Sequence, residues 1–164
     1  MKRKSPAIRL SRGALIGALY VALTYISSLV GLSSGVIQFR ISEALTILPV
    51  LMPEAIPGLF VGCIISNLMT PGAHPLDIVF GSVATLIGAL GAHLLRRLPS
   101  RFKWVATLPT IFSNAIIVPF VLMFAYGAEG SYPFFMLTVG IGEVVCAGIG
   151  GALLYYSLRR INFK

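Results

Sequence analysis

Arg96-Arg97-Leu98-Pro99-Ser100-Arg101-Phe102-Lys103 is a basic island between long apolar stretches. Two further basic clumps, residues 2–12 and 159–164, stand at the ends of the chain, and the three together hold every Lys and Arg except Arg40. Lys and Arg near span ends are retained on the cytoplasmic side of a membrane. The three clumps therefore face one side, and an even number of crossings separates each from the next. That parity implies an all-α integral membrane protein, a compact bundle with both termini cytoplasmic. It also places Arg40, with its neighbours Gln38 and Glu43, on the opposite, external side.

The composition agrees. The chain is 57% hydrophobic and 11% charged, with a mean hydropathy of +0.91, whereas about a quarter of a soluble domain is charged. At roughly 20 residues per crossing, its 164 residues hold about six or seven helices and no extramembrane catalytic or nucleotide-binding domain. The net charge of +8 belongs to topology signals and to contacts with anionic membrane lipid, because the basic residues flank apolar spans; nucleic acid is not an expected partner. Cys63 and Cys146 fall inside apolar stretches at a spacing that matches no metal motif, so both read as packing residues. The basic start leads into a long apolar run without a small-residue cleavage site, which reads as a retained first helix.

Hydropathy and helix breakers mark six spans, at residues 13–30, 41–52, 55–70, 76–95, 105–126 and 133–158, between a basic arm (1–12) and a basic tail (159–164). The first ends at the Gly31, Ser33, Ser34, Gly35 break, and an extended piece at 36–40 follows. The second is short, interrupted by Pro49, and stops at Pro53-Glu54. Pro71-Gly72 and Pro75 define an external loop, and residues 127–131 make the last external turn. Four spans then lie between the first and second clumps and two between the second and third, both even numbers. The two halves show no repeat, so an inverted-repeat transporter core has no support.

An ionisable group in hydrocarbon is costly unless it is paired or faces a cavity, so the few polar residues inside the spans are the candidate site. Glu143 lies about ten residues into the sixth span, roughly 15 Å deep, with no basic residue nearby in sequence. Asn114 is near the middle of the fifth, as a ligand contact or a helix–helix hydrogen bond. Asp77 begins the fourth, either capping it or meeting a ligand. Glu43 opens the second, pairing with Arg40 one turn earlier or contacting a ligand, and Asn67 is near the outer end of the third. His74 reads as a solvated loop residue, and Glu54 as a structural first-turn acid on the inner side. Since these groups, Glu54 apart, lie at mid-depth or in the outer half, the site is filled from outside. Ala14, Ala18 and Ala22 form a small-residue stripe, broadened by Gly13 and Gly17, that admits another helix, either within the bundle or from a partner protein. Gly142, Cys146 and Gly150 form a second stripe, read as internal. Asp77, Gly81, Ala84 and Gly88 share a face that leaves room beside the carboxylate.

Six helices in a short chain, an alanine stripe spaced by four on the first, and an outer polar pocket resemble the substrate-binding S component of energy-coupling factor (ECF) transporters. More specifically, Arg40-Ile-Ser-Glu-Ala-Leu-Thr-Ile-Leu-Pro49, Pro53-Glu-Ala-Ile-Pro-Gly-Leu-Phe-Val-Gly-Cys-Ile-Ile-Ser-Asn67 and Asp77-Ile-Val-Phe-Gly-Ser82 resemble the QueT family of queuosine-precursor transporters over nearly the whole chain. The resemblance implies capture of a 7-deazaguanine such as preQ1 or preQ0 at a bacterial plasma membrane, with no cofactor. It also implies partners: a transmembrane coupling subunit, docked on the Ala14, Ala18, Ala22 face, and two cytoplasmic ATPases. The chain has no Walker-type phosphate loop of its own. Ligand chemistry then suggests roles. Glu143 accepts the paired N–H edge of the base, Asn114 or Asn67 bonds the carbonyl edge, Asp77 or Glu43 balances an amine, and Phe39, Tyr126 and Tyr132 are stacking candidates beside Arg40.

Two other classes are weaker. An enzyme built on Glu143, Asp77 and His74 lacks an H-E-x-x-H or G-x-S-x-G motif, and His74 and His93 fall at opposite membrane faces. An S component for another vitamin-like solute, or a small proton-coupled carrier, is the alternative that buried glutamates also suit.

Overall fold

Ser5 and Pro6 start the first helix. The Ser5 hydroxyl accepts the Ile8 N–H at 3.4 Å, and Pro6 takes the first helical position, where its missing N–H forfeits no bond. Helix α1 (Pro6–Leu29) therefore begins ahead of the apolar run and carries Arg9 and Arg12 on its opening turns. The structure, a computed structural model, describes residues 5–32 and 38–161. Lys2, Arg3, Lys4 and Lys164 of the outer basic clumps, the break at 33–35 and the first residues of the extended piece at 36–40 lie outside the described residues. Arg40 itself is extended, at φ −94° and ψ 98°.

The second rod differs in kind from the interrupted helix read from the sequence. Ile41–Val50 is a continuous 3₁₀ helix with Pro49 inside it. Such runs are uncommon beyond a few residues, and this one is held by its surroundings: residues 42, 43 and 45–49 are all buried. The carbonyl of Pro49 is bonded by the His93 ring at 2.9 Å. Packed against α1, the two helices that follow it and the last rod of the chain, the 3₁₀ helix is the axis of the bundle. Its ten residues advance only about 20 Å at a 3₁₀ rise. The following α2 (Ala55–Met69), of 15 residues, advances about 22 Å, and both fall short of the roughly 30 Å hydrocarbon core.

Among the described residues four rods are long and apolar enough to cross: Pro6–Leu29, Pro75–Arg97, Ser100–Phe124 and Tyr132–Leu158. The six spans of the sequence reading, the second of them already short, correspond to these four span-length rods and two short apolar ones. The parity argument does not depend on whether the two short rods cross, because they are consecutive and omitting both still leaves two crossings between the first and second basic clumps. Helix α3 (Pro75–Leu94) runs antiparallel to α4 (Leu108–Phe124): Gly91 faces Pro109, Gly88 faces Thr110, and the Ser113 hydroxyl donates to the Ala84 carbonyl at 2.9 Å. The 3₁₀ stretch Ser100–Thr107 extends α4 toward the basic clump. The last rod comprises α5 (Tyr132–Glu143), a π-helical stretch Val144–Gly150 and α6 (Gly151–Leu158).

Helices α1 and α2 run parallel on glycine. Gly13 packs on the backbone of Gly58, a Cβ on Gly17 would lie 2.9 Å from the Gly58 carbonyl oxygen, and one on Gly62 would lie 2.8 Å from that of Gly17. Gly13 and Gly17 are therefore buried against α2, at the floor of the groove along which Ala14, Ala18 and Ala22 remain exposed. The Gly142, Cys146, Gly150 stripe does face inward, with Gly142 against the Gln38 carbonyl and Gly150 against Ala44. Ile16, Tyr20, Leu45, Leu48, Leu59, Cys63 and Ala89 fill the core. Leu15, Leu94, Phe112, Phe124, Leu137 and Leu153 point outward, as a lipid-facing surface requires.

Candidate functional site

Five rods send a polar side chain to one buried point. Glu43 comes from the first turn of the 3₁₀ helix, Tyr20 from α1, Thr85 from α3, Asn114 from α4 and Glu143 from the end of α5. The Tyr20 hydroxyl donates to Glu43 Oε1, and Thr85 Oγ1 approaches the same oxygen at 3.5 Å. Asn114 Nδ2 donates to Glu43 Oε2 at 3.5 Å, and Glu143 lies beside both. Glu43 is 1% exposed and Glu143 7%, yet Glu143 Oε2 has no hydrogen-bond partner among the described residues. Glu143 sits directly before the π-helical stretch, a geometry frequent at functional sites because it re-aims the side chains around it.

A second polar layer is built on Arg40. Its guanidinium lies 3.7 Å from Asp77 Oδ2 and donates to Asn67 Oδ1 at 3.3 Å. Asn67 Nδ2 donates to the Asp77 carbonyl at 3.2 Å. The Tyr126 hydroxyl donates to Asp77 Oδ2 and accepts the His74 N–H, both at 3.1 Å. Two alternatives left open by the sequence separate here. His74, not Asp77, caps α3, with its Nδ1 accepting the Leu76 N–H at 3.2 Å, so the Asp77 carboxylate turns to Arg40. Arg40 in turn pairs with Asp77 and not with Glu43, because its extended backbone removes it from the helical register in which residues three apart meet.

The remaining candidates are more dispersed. Phe39 is half-buried in the loop, its N–H bonded to the Leu32 carbonyl at 2.7 Å. Tyr132 engages α4, donating to the Ile116 carbonyl at 2.9 Å with its ring 4.7 Å from that of Phe120. Glu54 pairs with Arg12 at 3.6 Å, in keeping with a structural role. No group of three or more His, Cys, Asp or Glu suited to a metal ion occurs among the described residues. Tyr20 and Thr85 were not singled out by the sequence. The signal for Tyr20 lies in α1, where Tyr20, Thr24 and Ser27 recur on one face. Thr24 donates to the Ser42 hydroxyl at 2.8 Å, and Ser27 accepts the Ile41 N–H at 3.1 Å, so this stripe ties α1 to the start of the 3₁₀ helix.

A groove of about 730 Å³ lies elsewhere, between α1 and α2, lined by Ala14, Ala18, Ala22, Val61 and Ile65, with Arg9 and Glu54 among its walls. It is apolar and opens along the lipid-facing side, whereas the polar cluster is closed. The two features are distinct.

Ionisable side chains held at the centre of a lipid-facing bundle mark the path or resting place of a solute, which sets the chain among multi-pass membrane transport proteins. It belongs to the QueT transporter family, whose model matches residues 10–160. It is 30% identical, over 169 aligned positions that cover 99% of each chain, to the protein named Queuosine precursor transporter QueT of Lactococcus lactis subsp. cremoris (strain MG1363). No solved structure matches it.

Proposed function

We propose that this chain is the substrate-binding S component of an ECF-type importer and captures a queuosine precursor, preQ1 or preQ0, from outside a bacterial cell. The observation that carries the reading is the unpartnered Glu143 Oε2, buried beside Asn114 and Glu43. A buried acceptor left without a donor costs about 1–3 kcal/mol or more, and a ligand that donates to it recovers that loss. The guanine-like edge of a 7-deazaguanine presents two adjacent N–H donors, which match one carboxylate. Asn114 suits the carbonyl edge better than Asn67, because Asn114 Nδ2 spends one N–H on Glu43 and keeps a second, whereas Asn67 Nδ2 is engaged by both the Cys63 Sγ and the Asp77 carbonyl. The Arg40, Asn67, Asp77 and Tyr126 layer then closes over the bound base.

Uptake requires partners, since the chain is a membrane bundle without an ATPase motif. The exposed Ala14, Ala18, Ala22 face beside the groove is the docking surface for the transmembrane coupling subunit, behind which two cytoplasmic ATPases supply the energy. Both termini face the cytoplasm. Calorimetry of preQ1, preQ0 and guanine on the purified chain tests the substrate. A precursor is expected to bind, and Glu143→Gln to weaken it about tenfold or more, the scale of a hydrogen bond to a charged group. No binding of any deazaguanine by folded protein would overturn the substrate assignment, and thiamine, folate and flavin would be tried next.

A further inference from the structure

The deep layer contains two acids and no base. Glu43 and Glu143 arrive from different rods beside one amide, Asn114, whose Nδ2 donates to Glu43 Oε2. Among the described residues no cation touches them: Tyr20 from α1 and Thr85 from α3 supply hydroxyls, Cys63 from α2 and Cys146 from the π-helical stretch supply thiols, and the charge of Arg40 reaches the pair only from the layer above. Arg40 is the only Lys or Arg between Arg12 and Arg96, and its guanidinium is held by Asp77 and Asn67. The same contact removes Asp77 as a free counter-charge for a ligand, since Arg40 and Tyr126 already occupy its carboxylate.

Burying a carboxylate without a cation is costly, because desolvation is repaid only by an opposite charge in good geometry. Here two carboxylates are buried, and one oxygen of Glu143 is still without a donor. A ligand that carries a positive charge repairs both deficits at once. A neutral ligand of the same shape can donate N–H groups but leaves the pair without a cation in contact, with only the more distant Arg40 to offset it.

We infer that Glu43 and Glu143, buried side by side at Asn114, act as one acidic pair that selects a positively charged ligand, so that the aminomethyl-bearing deazaguanine is taken and the uncharged nitrile-bearing one is refused. This rests on the deazaguanine reading above, and the two fail separately. The test compares three ligands on the unmodified purified chain in lipid nanodiscs: preQ1, its hydroxymethyl analogue, in which a hydroxyl replaces the ammonium at nearly constant shape, and preQ0. The expected result is that preQ1 binds about 100-fold more tightly than either neutral base, the scale set by a buried charge left unpaired. Glu43→Gln and Glu143→Gln, each checked for folding by thermal unfolding, are expected to shrink that ratio below about tenfold.

Equal binding of all three ligands by the unmodified chain would overturn the charge selection and leave the deazaguanine assignment standing. A ratio unchanged in both variants would show that the pair does not read the charge. No binding of any of the three would remove both readings. If a variant does not fold, the hydroxymethyl comparison decides alone, because it needs no mutation.

Discussion

Tyr20 illustrates how one hydroxyl ties packing to chemistry. Its ring is fully buried in the core between α1, α2 and the 3₁₀ helix, and its oxygen donates to Glu43. Tyr20→Phe keeps the ring and removes the donor. It is expected to lower thermal stability by about 1–3 kcal/mol, the cost of a lost bond to a buried charged group, and to weaken precursor binding in calorimetry while the helical signal in circular dichroism is retained. Glu143 was legible in the sequence, because an acid ten residues inside an apolar span has few structural explanations. Tyr20 was not, since one aromatic in an apolar helix looks like core until the polar residues above it, Thr24 and Ser27, are seen to share its face. The Arg40–Asp77 pair was also hidden. It joins a loop to the start of α3, and only the extended backbone of Arg40 and the capping of α3 by His74 leave the two side chains for each other.

Elements show the same division between what periodicity reveals and what packing decides. Glycines and alanines alternate on α1 at 13, 14, 17 and 18, and at 100° per residue they blur into one small-residue face. Only the matching Gly58 and Gly62 on α2 separate a buried glycine seam from an exposed alanine face. Substitutions on the two faces should therefore part company. Gly58→Leu drives a side chain into the Gly13 backbone and is expected to lower stability by about 1–3 kcal/mol or more, read as a fall in Tm. Ala18→Trp meets open groove and is expected to leave Tm and precursor binding unchanged while abolishing energised uptake in cells; intact uptake would refute the docking surface. The 3₁₀ character of Ile41–Val50 could not be read from Pro49 and a short apolar run. It is imposed by burial against four neighbouring rods, a tertiary cause with no local signature.

At the scale of the whole molecule the basic clumps carry most of the information, and their parity tolerates the shortening of two rods. Orientation is open to direct measurement. In intact cells a cysteine replacing Glu129 is expected to react with a membrane-impermeant maleimide, and one replacing Arg101 only after the membrane is opened. Native Cys63 and Cys146 are buried and give little background. Reaction of both positions from the same side would break the topology. The bundle also offers two places where a solute could rest: the closed polar cluster around Glu43, Asn114 and Glu143, and the apolar groove between α1 and α2. An experimental structure of the chain with preQ1 bound distinguishes them in one step. The base is expected beneath the Arg40–Asp77 layer, with its N–H edge on Glu143 and Asn114 beside its carbonyl. Ligand seated in the α1–α2 groove, with Glu143 still unpartnered, would contradict the account.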